Sequence, residues 1–534
     1  MLNYARRFTL PESTCNHASR LRCLLILFGC WLLPAVTNGH DWPMWRHDAG
    51  RRAATPEELP EQMHLQWVRE LAPPRPAWPE SQYKLRFDAS YEPVVAGETI
   101  FVGSMVADSV TAYDTQTGRE KWRFYSDGPV RFAPVVYKDK LYFASDDGCL
   151  YCLDVDNGSL IRKFRGGPSS NKVLGNDRLI GMWPMRGGPV LYEDTIYFAA
   201  GIWPFMGIFI YAIDAETGEI VWENTGSGST YTMQPHTSPA FAGVAPQGYM
   251  VATEDKLLVS GGRSVPAAYD RRTGKFLYYH MNKYGKAGTS EVIASGDHFF
   301  NRGAIHKLSD GLAISGAPAS VIDDQVIIGK RSSDTITAYE LGPEAKKAQE
   351  LWQAKAPSGL DKIHLKAGSR LYCSGNDGAV IGIDAGSNDG QPKVSWRAKV
   401  GGEVSSMIAA DGRLFVTTME GGLYCFAGAK TESRHYALEN RPLPAGSRRG
   451  KVRTILEATG QKDGYCLLLG LGSGELLYRL LNQTDLHVIV LDTDAEKVAA
   501  MRRKLDAAGL YLSLIHISEP TRPLYISYAV FCLK

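Results

Sequence analysis

The chain has 534 residues, 44% of them hydrophobic, and its 59 Lys and Arg stand against 57 Asp and Glu for a formal charge of +2. That length supports two or more cores, and the near balance of charge excludes a global electrostatic footprint for nucleic acid or an anionic membrane surface. With 54 glycines and 26 tyrosines, the composition favours many short strands and tight turns.

Arg6, Arg7, Arg20 and Arg22 precede an apolar run from Leu24 to Val36, and the small and polar Thr37-Asn38-Gly39 follow it. This is the layout of an export signal. The run is short for a membrane span and Pro34 interrupts it, so residues 1–39 read as a signal peptide cleaved near Gly39. The product is an exported protein, periplasmic or in the cell envelope, with no stable membrane span after cleavage. Leu27-Phe28-Gly29-Cys30 approximates a lipoprotein cleavage box with Phe28 out of pattern, which leaves a lipid anchor at Cys30 open. Of the 9 cysteines, Cys15, Cys23 and Cys30 fall in the leader and Cys532 near the end, and the odd remainder argues against a disulfide framework. Cys149 and Cys152 lie three apart in one strand and so on opposite faces, which predicts buried thiols and no redox pair.

Self-similarity organises the middle of the chain. Ala112-Tyr-Asp-Thr-Gln-Thr-Gly-Arg-Glu-Lys-Trp122 recurs as Ala212-Ile-Asp-Ala-Glu-Thr-Gly-Glu-Ile-Val-Trp222 and as Ala268-Tyr-Asp-Arg-Arg-Thr-Gly-Lys-Phe-Leu-Tyr278. Degenerate copies centre on Asp154, Glu340 with Trp352, Asp384 with Trp396, and the Gly421–Phe426 strand. In each unit the aspartate can accept bonds from the amides of its own turn, and glycine supplies the positive φ that closes a hairpin. The tryptophan lies in the next strand, and its N–H needs a partner that the neighbouring unit's backbone can provide. A four-stranded unit cannot bury both faces alone, so copies stack radially into a β-propeller. The copies number about seven and closure calls for one more; two sources for the last blade stay open, a strand from the early segment with Trp42, Trp45 and Trp67, or a portion beyond the end of this chain.

The pattern resembles the PQQ-like β-propeller repeat, shared by quinoprotein alcohol dehydrogenases and the outer-membrane assembly lipoprotein BamB. The resemblance implies an all-β propeller of about seven or eight four-stranded blades over residues 40–430. In the quinoproteins it would imply a bound quinone, a Ca²⁺ ion, an aspartate base and a pair of adjacent cysteines. This chain contains no Cys-Cys dipeptide, and the repeat aspartates already have a turn-forming role. Neither a catalytic residue nor a metal ligand is therefore assigned, and PQQ is not expected as a cofactor. Trp183-Pro-Met-Arg186 and Trp203-Pro-Phe-Met-Gly207 are aromatic insertions suited to a propeller mouth, which makes Trp183, Arg186, Trp203 and Phe205 candidate ligand-loop residues. Mutual packing of Trp183, Trp203 and Phe205 over the channel is the competing reading. His236, His298 and His306 lack metal-ligand spacing and receive no role.

Residues 431–450 are polar, with Pro442 and Pro444, and read as a linker. After it, Lys451–Thr459 has helical spacing, Gly464–Leu469 suits a buried parallel strand, Gly470-Leu-Gly-Ser-Gly474 opens a helix, and His487–Leu491 forms a second strand ending on Asp492. This β-α-β order is the context in which glycines admit a nucleotide at a helix N-terminus and an acid accepts from ribose hydroxyls. Gly470, Gly472 and Gly474 resemble motif I of class I S-adenosylmethionine-dependent methyltransferases, with Asp492 in the place of the family's ribose-binding acid. Leu468 stands where that family often has an acidic residue. The resemblance implies an incomplete α/β Rossmann-like segment over 451–511 with a partial S-adenosylmethionine site. Leu512–Arg522 and Ile526–Leu533 resemble translated sequencing-adapter and flow-cell-primer segments, so residues 512–534 are expected to be artefactual and the methyltransferase sheet truncated.

The expected function is that of a monomeric, exported binding or assembly scaffold without catalysis of its own, whose partner is a protein or a cell-envelope ligand and not a nucleic acid. Two alternatives stay open: a full-length methyltransferase whose propeller recruits substrate, and a quinoprotein oxidoreductase.

Overall fold

The computed structural model describes residues 40–511, apart from 228–230, 234–238, 242, 263, 281–287, 333, 343–346, 385–391, 439–441 and 444–449, together with residues 514–516 and 529–533. The proposed signal peptide, Cys30 and His236 lie outside the described residues.

Eight sheets of antiparallel strands follow one another along the chain and form eight blades. Blade 1 runs Val94–Ala96, Thr99–Ser104, Ser109–Asp114 and Glu120–Tyr125, with each strand paired to the next. Blades 2 to 7 occupy residues 135–165, 185–224, 251–278, 293–316, 321–355 and 360–399. Blade 8 takes its three inner strands from residues 404–427 and its outer strand from His64–Glu70, which pairs antiparallel with Gly422–Ala427. The His64–Glu70 strand thus closes the ring, as the Trp67 region suggested.

The blade missing from the repeat count is residues 293–316. Its turn keeps the bonds of the others: Lys307 N donates to Leu312 O at 3.0 Å and Gly311 N to Lys307 O at 2.9 Å, as Asp270 N does to Lys275 O at 2.8 Å and Gly274 N to Asp270 O at 2.9 Å. Lys307 replaces the motif aspartate and Ser315 the tryptophan, which hides the unit while the backbone preserves it.

Each well-formed turn is built as its residues dictate. Asp270 Oδ1 accepts from Thr273 N at 2.8 Å and Thr273 Oγ1 at 2.7 Å, and Asp214 Oδ1 accepts from Thr217 N at 2.7 Å. These bonds favour the ionised form and hold both aspartates below the usual carboxylate range. Successive blades are then latched by indoles. Trp67, Trp122 and Trp222 donate through Nε1 to the carbonyls of Thr115, Val155 and Arg271 in the next blade, each at 2.9 Å. The ring lies under the turn glycine: a Cβ on Gly118, at φ 71°, would come within 2.7 Å of Trp67. In blade 2 Arg162 takes the tryptophan's place and donates to Glu216 O at 2.9 Å.

Cys149 and Cys152 are buried and unpaired, and burial pushes the Cys149 thiol up to about 12, which suits structural thiols. After the propeller come α1 (Gly450–Thr459), the strand Asp463–Leu469, α2 (Glu475–Gln483), the strand Asp485–Asp492 and α3 (Ala495–Ala507). The two strands pair parallel from Asp463 opposite Asp485 to Leu469 opposite Leu491. The sheet has four strands, because Leu514–His516 adds parallel to one edge and Ala529–Leu533 antiparallel to the other. Both edge strands fall within residues 512–534, the stretch expected to be artefactual. No helix among the described residues is long and apolar enough to cross a membrane.

Candidate functional site

In an antiparallel blade the connection between the second and third strands and the turn between the third and fourth lie at opposite ends. The Asp-Thr-Gly turns therefore mark one end of the propeller, and the longer connections, including residues 201–208, mark the other.

At the turn end the segment from His40 to Ala53 runs around the channel and touches every blade. Trp42 exchanges backbone bonds with Val95 at 2.8 and 2.9 Å, and Pro43 O, Ala49 O, Gly50 O, Arg52 O and Ala53 O accept from Val136, Ala252, Ala294, Ile322 and Lys366 at 2.8–3.0 Å. Arg51, fully buried, donates to Pro189 O and Met250 O at 2.9 Å and to Trp45 O at 2.8 Å. Asp411 N donates to His40 O at 3.2 Å and completes the circuit on blade 8. A Cβ on Gly50 would sit 2.7 Å from Ala294 O, so the strap approaches blade 5 only because that residue is glycine.

At the loop end residues 71–93, which join the outer strand of blade 8 to blade 1, cross over other blades. Asp88 accepts from Ala77 N at 2.9 Å and pairs with Arg131 at 2.6 Å, while Arg131 also pairs with Asp146 at 2.6 Å. Trp78 Nε1 donates to Gln247 Oε1 at 3.0 Å. Arg186 belongs to this buried network, pairing with Asp146 at 3.0 Å with 1% of its surface exposed. The expectation that Arg186 lines an open mouth is therefore corrected: its charge is consumed in anchoring the crossing loop to blades 2 and 3.

Strap and crossing loop leave an axial cavity of about 30 Å³ lined by Trp45, Arg46, Glu92, Glu291, Lys362 and His364 among others. That is room for roughly two waters. Ser406 Oγ donates to Glu92 Oε2 at 2.7 Å, and burial pushes Glu92 up to about 7. Lys362 holds Glu291 below the usual carboxylate range. Burial, with Lys362 and Arg46 nearby, drives His364 well below the usual imidazole value, so it is neutral at pH 7, hydrogen-bonded to Ser374 at 2.9 Å. Sequence reasoning missed these groups because they come from the 40–53 segment and from blades far apart along the chain. The available signal was a carboxylate just ahead of two buried inner strands, in Glu92-Pro-Val-Val and Glu291-Val-Ile-Ala.

The aromatic loops divide into supports and surface. Trp183 donates through Nε1 to Met206 O at 2.7 Å and packs edge-on against Phe209. It braces the 201–208 loop. Trp203 and Phe205, 49% and 69% exposed, lie at its tip with ring centroids 6.2 Å apart at 22°, and Trp78 meets Trp203 edge-on at 6.4 Å. These rings form an exposed aromatic corner.

The glycine turn has the backbone its residues predict. Gly470, Gly472 and Gly474 have φ of 83°, 53° and 77°, and Gly474 caps α2. Asp492 organises the turn, accepting from Leu471 N at 2.7 Å through Oδ2 and from Asp494 N at 2.9 Å through Oδ1. The four residues thus meet in one turn, with the α2 N-terminus behind them. Helix α3 docks at the loop end of blades 1 and 2: Arg502 pairs with Asp127 at 3.0 Å, and Tyr125 donates to Asp506 at 2.8 Å. Despite burial, Lys163 and Arg502 bring Asp127 down to about 2. Among the described residues no group of three His, Cys, Asp or Glu side chains is placed to hold a metal ion.

Comparison with solved structures gives the fold. The chain resembles quinohemoprotein alcohol dehydrogenase from Comamonas testosteroni at 15% identity and a TM-score of 0.50, covering 78% of this chain and 84% of that one. It resembles a second such enzyme from Pseudomonas putida HK5 at 14% identity and a TM-score of 0.50, with the same coverage. Among curated proteins, tetrathionate hydrolase of Acidithiobacillus ferrooxidans is 27% identical over 201 residues, and the chain spans 37% of that relative's length. A family model matches residues 41–340 and again 333–483, the second match running through the glycine turn into α2, and by it the chain belongs to the family described as outer membrane protein assembly factor BamB.

Proposed function

We propose that the chain is an exported, periplasmic or cell-envelope scaffold that holds a protein or envelope ligand at the loop end of its propeller and catalyses no reaction there. The observation that carries this reading is the contrast along the axis: charged groups line a cavity of only about 30 Å³, whereas Trp203 and Phe205 stand exposed on a loop braced from beneath by Trp183. Exposed aromatics on a rigid support are the usual anchors of a protein interface. Family membership agrees with an assembly role. Capture of an envelope partner by the wild-type chain, lost in a Trp203→Ala/Phe205→Ala variant of unchanged stability, tests it.

The quinoprotein reading has less support. The sequence has no Cys-Cys dipeptide, and among the described residues no group of three His, Cys, Asp or Glu side chains is placed for a Ca²⁺ ion.

A second role is supported by the C-terminal turn. Three positive-φ glycines at the head of α2, between parallel strands and tied to Asp492, suit the adenosine end of S-adenosylmethionine. In a longer parent such a segment would serve a methyltransferase whose propeller recruits substrate. Saturable binding of S-adenosylmethionine by calorimetry, weakened by Asp492→Ala, tests this separately from the scaffold role.

A further inference from the structure

We infer that the Gly39–His40 peptide bond is the processing site of this chain and that the α-ammonium released there forms an ion pair with the buried carboxylate of Glu57. The inference rests on the reading that the chain is exported, and it is carried by Glu57 itself. That carboxylate is 4% exposed, and among the described residues no side-chain cation lies within ion-pair distance of it. Its oxygens instead accept from two backbone nitrogens, Oε1 from Gly412 N at 2.6 Å and Oε2 from His40 N at 2.6 Å. A buried carboxylate ordinarily has a cationic partner. His40 N is the atom that would become cationic on cleavage.

Hydrolysis of the bond adds one water: Gly39 leaves with a new carboxylate, and His40 keeps the nitrogen as an ammonium with three donors. One of those donors is already aimed at Glu57 Oε2. His40 O is held by Asp411 N at 3.2 Å, so the new terminus is gripped by the 411–412 turn of blade 8 and by Glu57 together. The sequence before the bond, Thr37-Asn38-Gly39, ends on a small residue, as signal-peptidase cleavage sites do. Processing would therefore convert a backbone hydrogen bond into a charge-assisted one at the point where the strap completes its circuit.

Two measurements test this independently. The intact mass of protein recovered from the envelope should correspond to a chain beginning at His40. A mass beginning at any other residue, Met1 included, defeats the processing site, whereas absence of the protein from the envelope defeats the export reading on which it rests. Separately, the chain starting at a free His40, released from a cleavable N-terminal fusion, should melt several degrees higher than the same chain N-acetylated or extended by Gly39, and Glu57→Gln should abolish that gap. An ammonium paired in the folded state has a pKa raised above its unfolded value of about 8, so the gap should be full below that value and close as pH rises through the folded pKa. Equal melting of the free and blocked chains, or a gap indifferent to Glu57→Gln, overturns the ion pair whatever the export result.

Discussion

Trp67 and Thr115 close the ring: the indole of Trp67, in the outer strand of blade 8, donates at 2.9 Å to the carbonyl of Thr115 in blade 1. Trp67 is fully buried. Trp67→Ala removes the latch, a large buried ring and the donor to Thr115 O together, and should cost about 3–5 kcal/mol. Chemical denaturation measures this. Leu160→Ala, at a 48% exposed strand position, should change stability by less than about 0.5 kcal/mol.

The aromatic corner predicts function without stability. Trp203→Ala with Phe205→Ala removes exposed rings and should shift the free energy of unfolding by less than about 1 kcal/mol, while partner capture falls by tenfold or more. Trp183→Ala should do both, since its ring holds the loop from beneath and its Nε1 bonds Met206 O at 2.7 Å.

Glu92 predicts a pH dependence. Burial raises its folded pKa to about 7 from the ordinary 4.5, so the native state holds a proton that the unfolded state has lost across that window. Stability therefore falls as pH rises from about 4.5 to about 7 through this group. Glu92→Gln removes that component, and denaturation midpoints taken across the window should show a flatter profile than the parent.

Docking of the C-terminal segment predicts the opposite sign. Asp127, brought to about 2 by Lys163 and Arg502 despite burial, contributes stability that is present above its unfolded value near 3.8 and lost as pH falls toward 2. Arg502→Ala leaves the Asp127–Lys163 pair at 2.9 Å but removes the link to α3. Limited proteolysis should then release residues beyond 450 faster, with the propeller core intact.

Much of the fold was legible because the repeat is local. Asp, Gly and Trp at fixed offsets specify a turn, a close contact and a latch, and those three are enough to find most blades. The unit at 293–316 was hidden because Lys307 and Ser315 replace the signature side chains while the backbone bonds persist. The glycine turn was legible for the same local reason, with Asp492 close enough along the chain to be paired with it. The axial groups were not: Arg46, Glu92, Glu291, Lys362 and His364 converge only once the ring closes. Arg186 was misread as a mouth residue because its ion pair to Asp146 joins blades 2 and 3, a relationship no sequence spacing reveals.

The central claim is that the loop end of the propeller is the binding face. Photo-crosslinking residues placed at positions 203 and 205, and as controls at 217 and 273 in the turns of the opposite end, test it most directly in intact envelopes. The account predicts a discrete adduct of constant mass from 203 and 205 and none from 217 and 273. Adducts from the turn end alone, or equal adducts from all four positions, would contradict it.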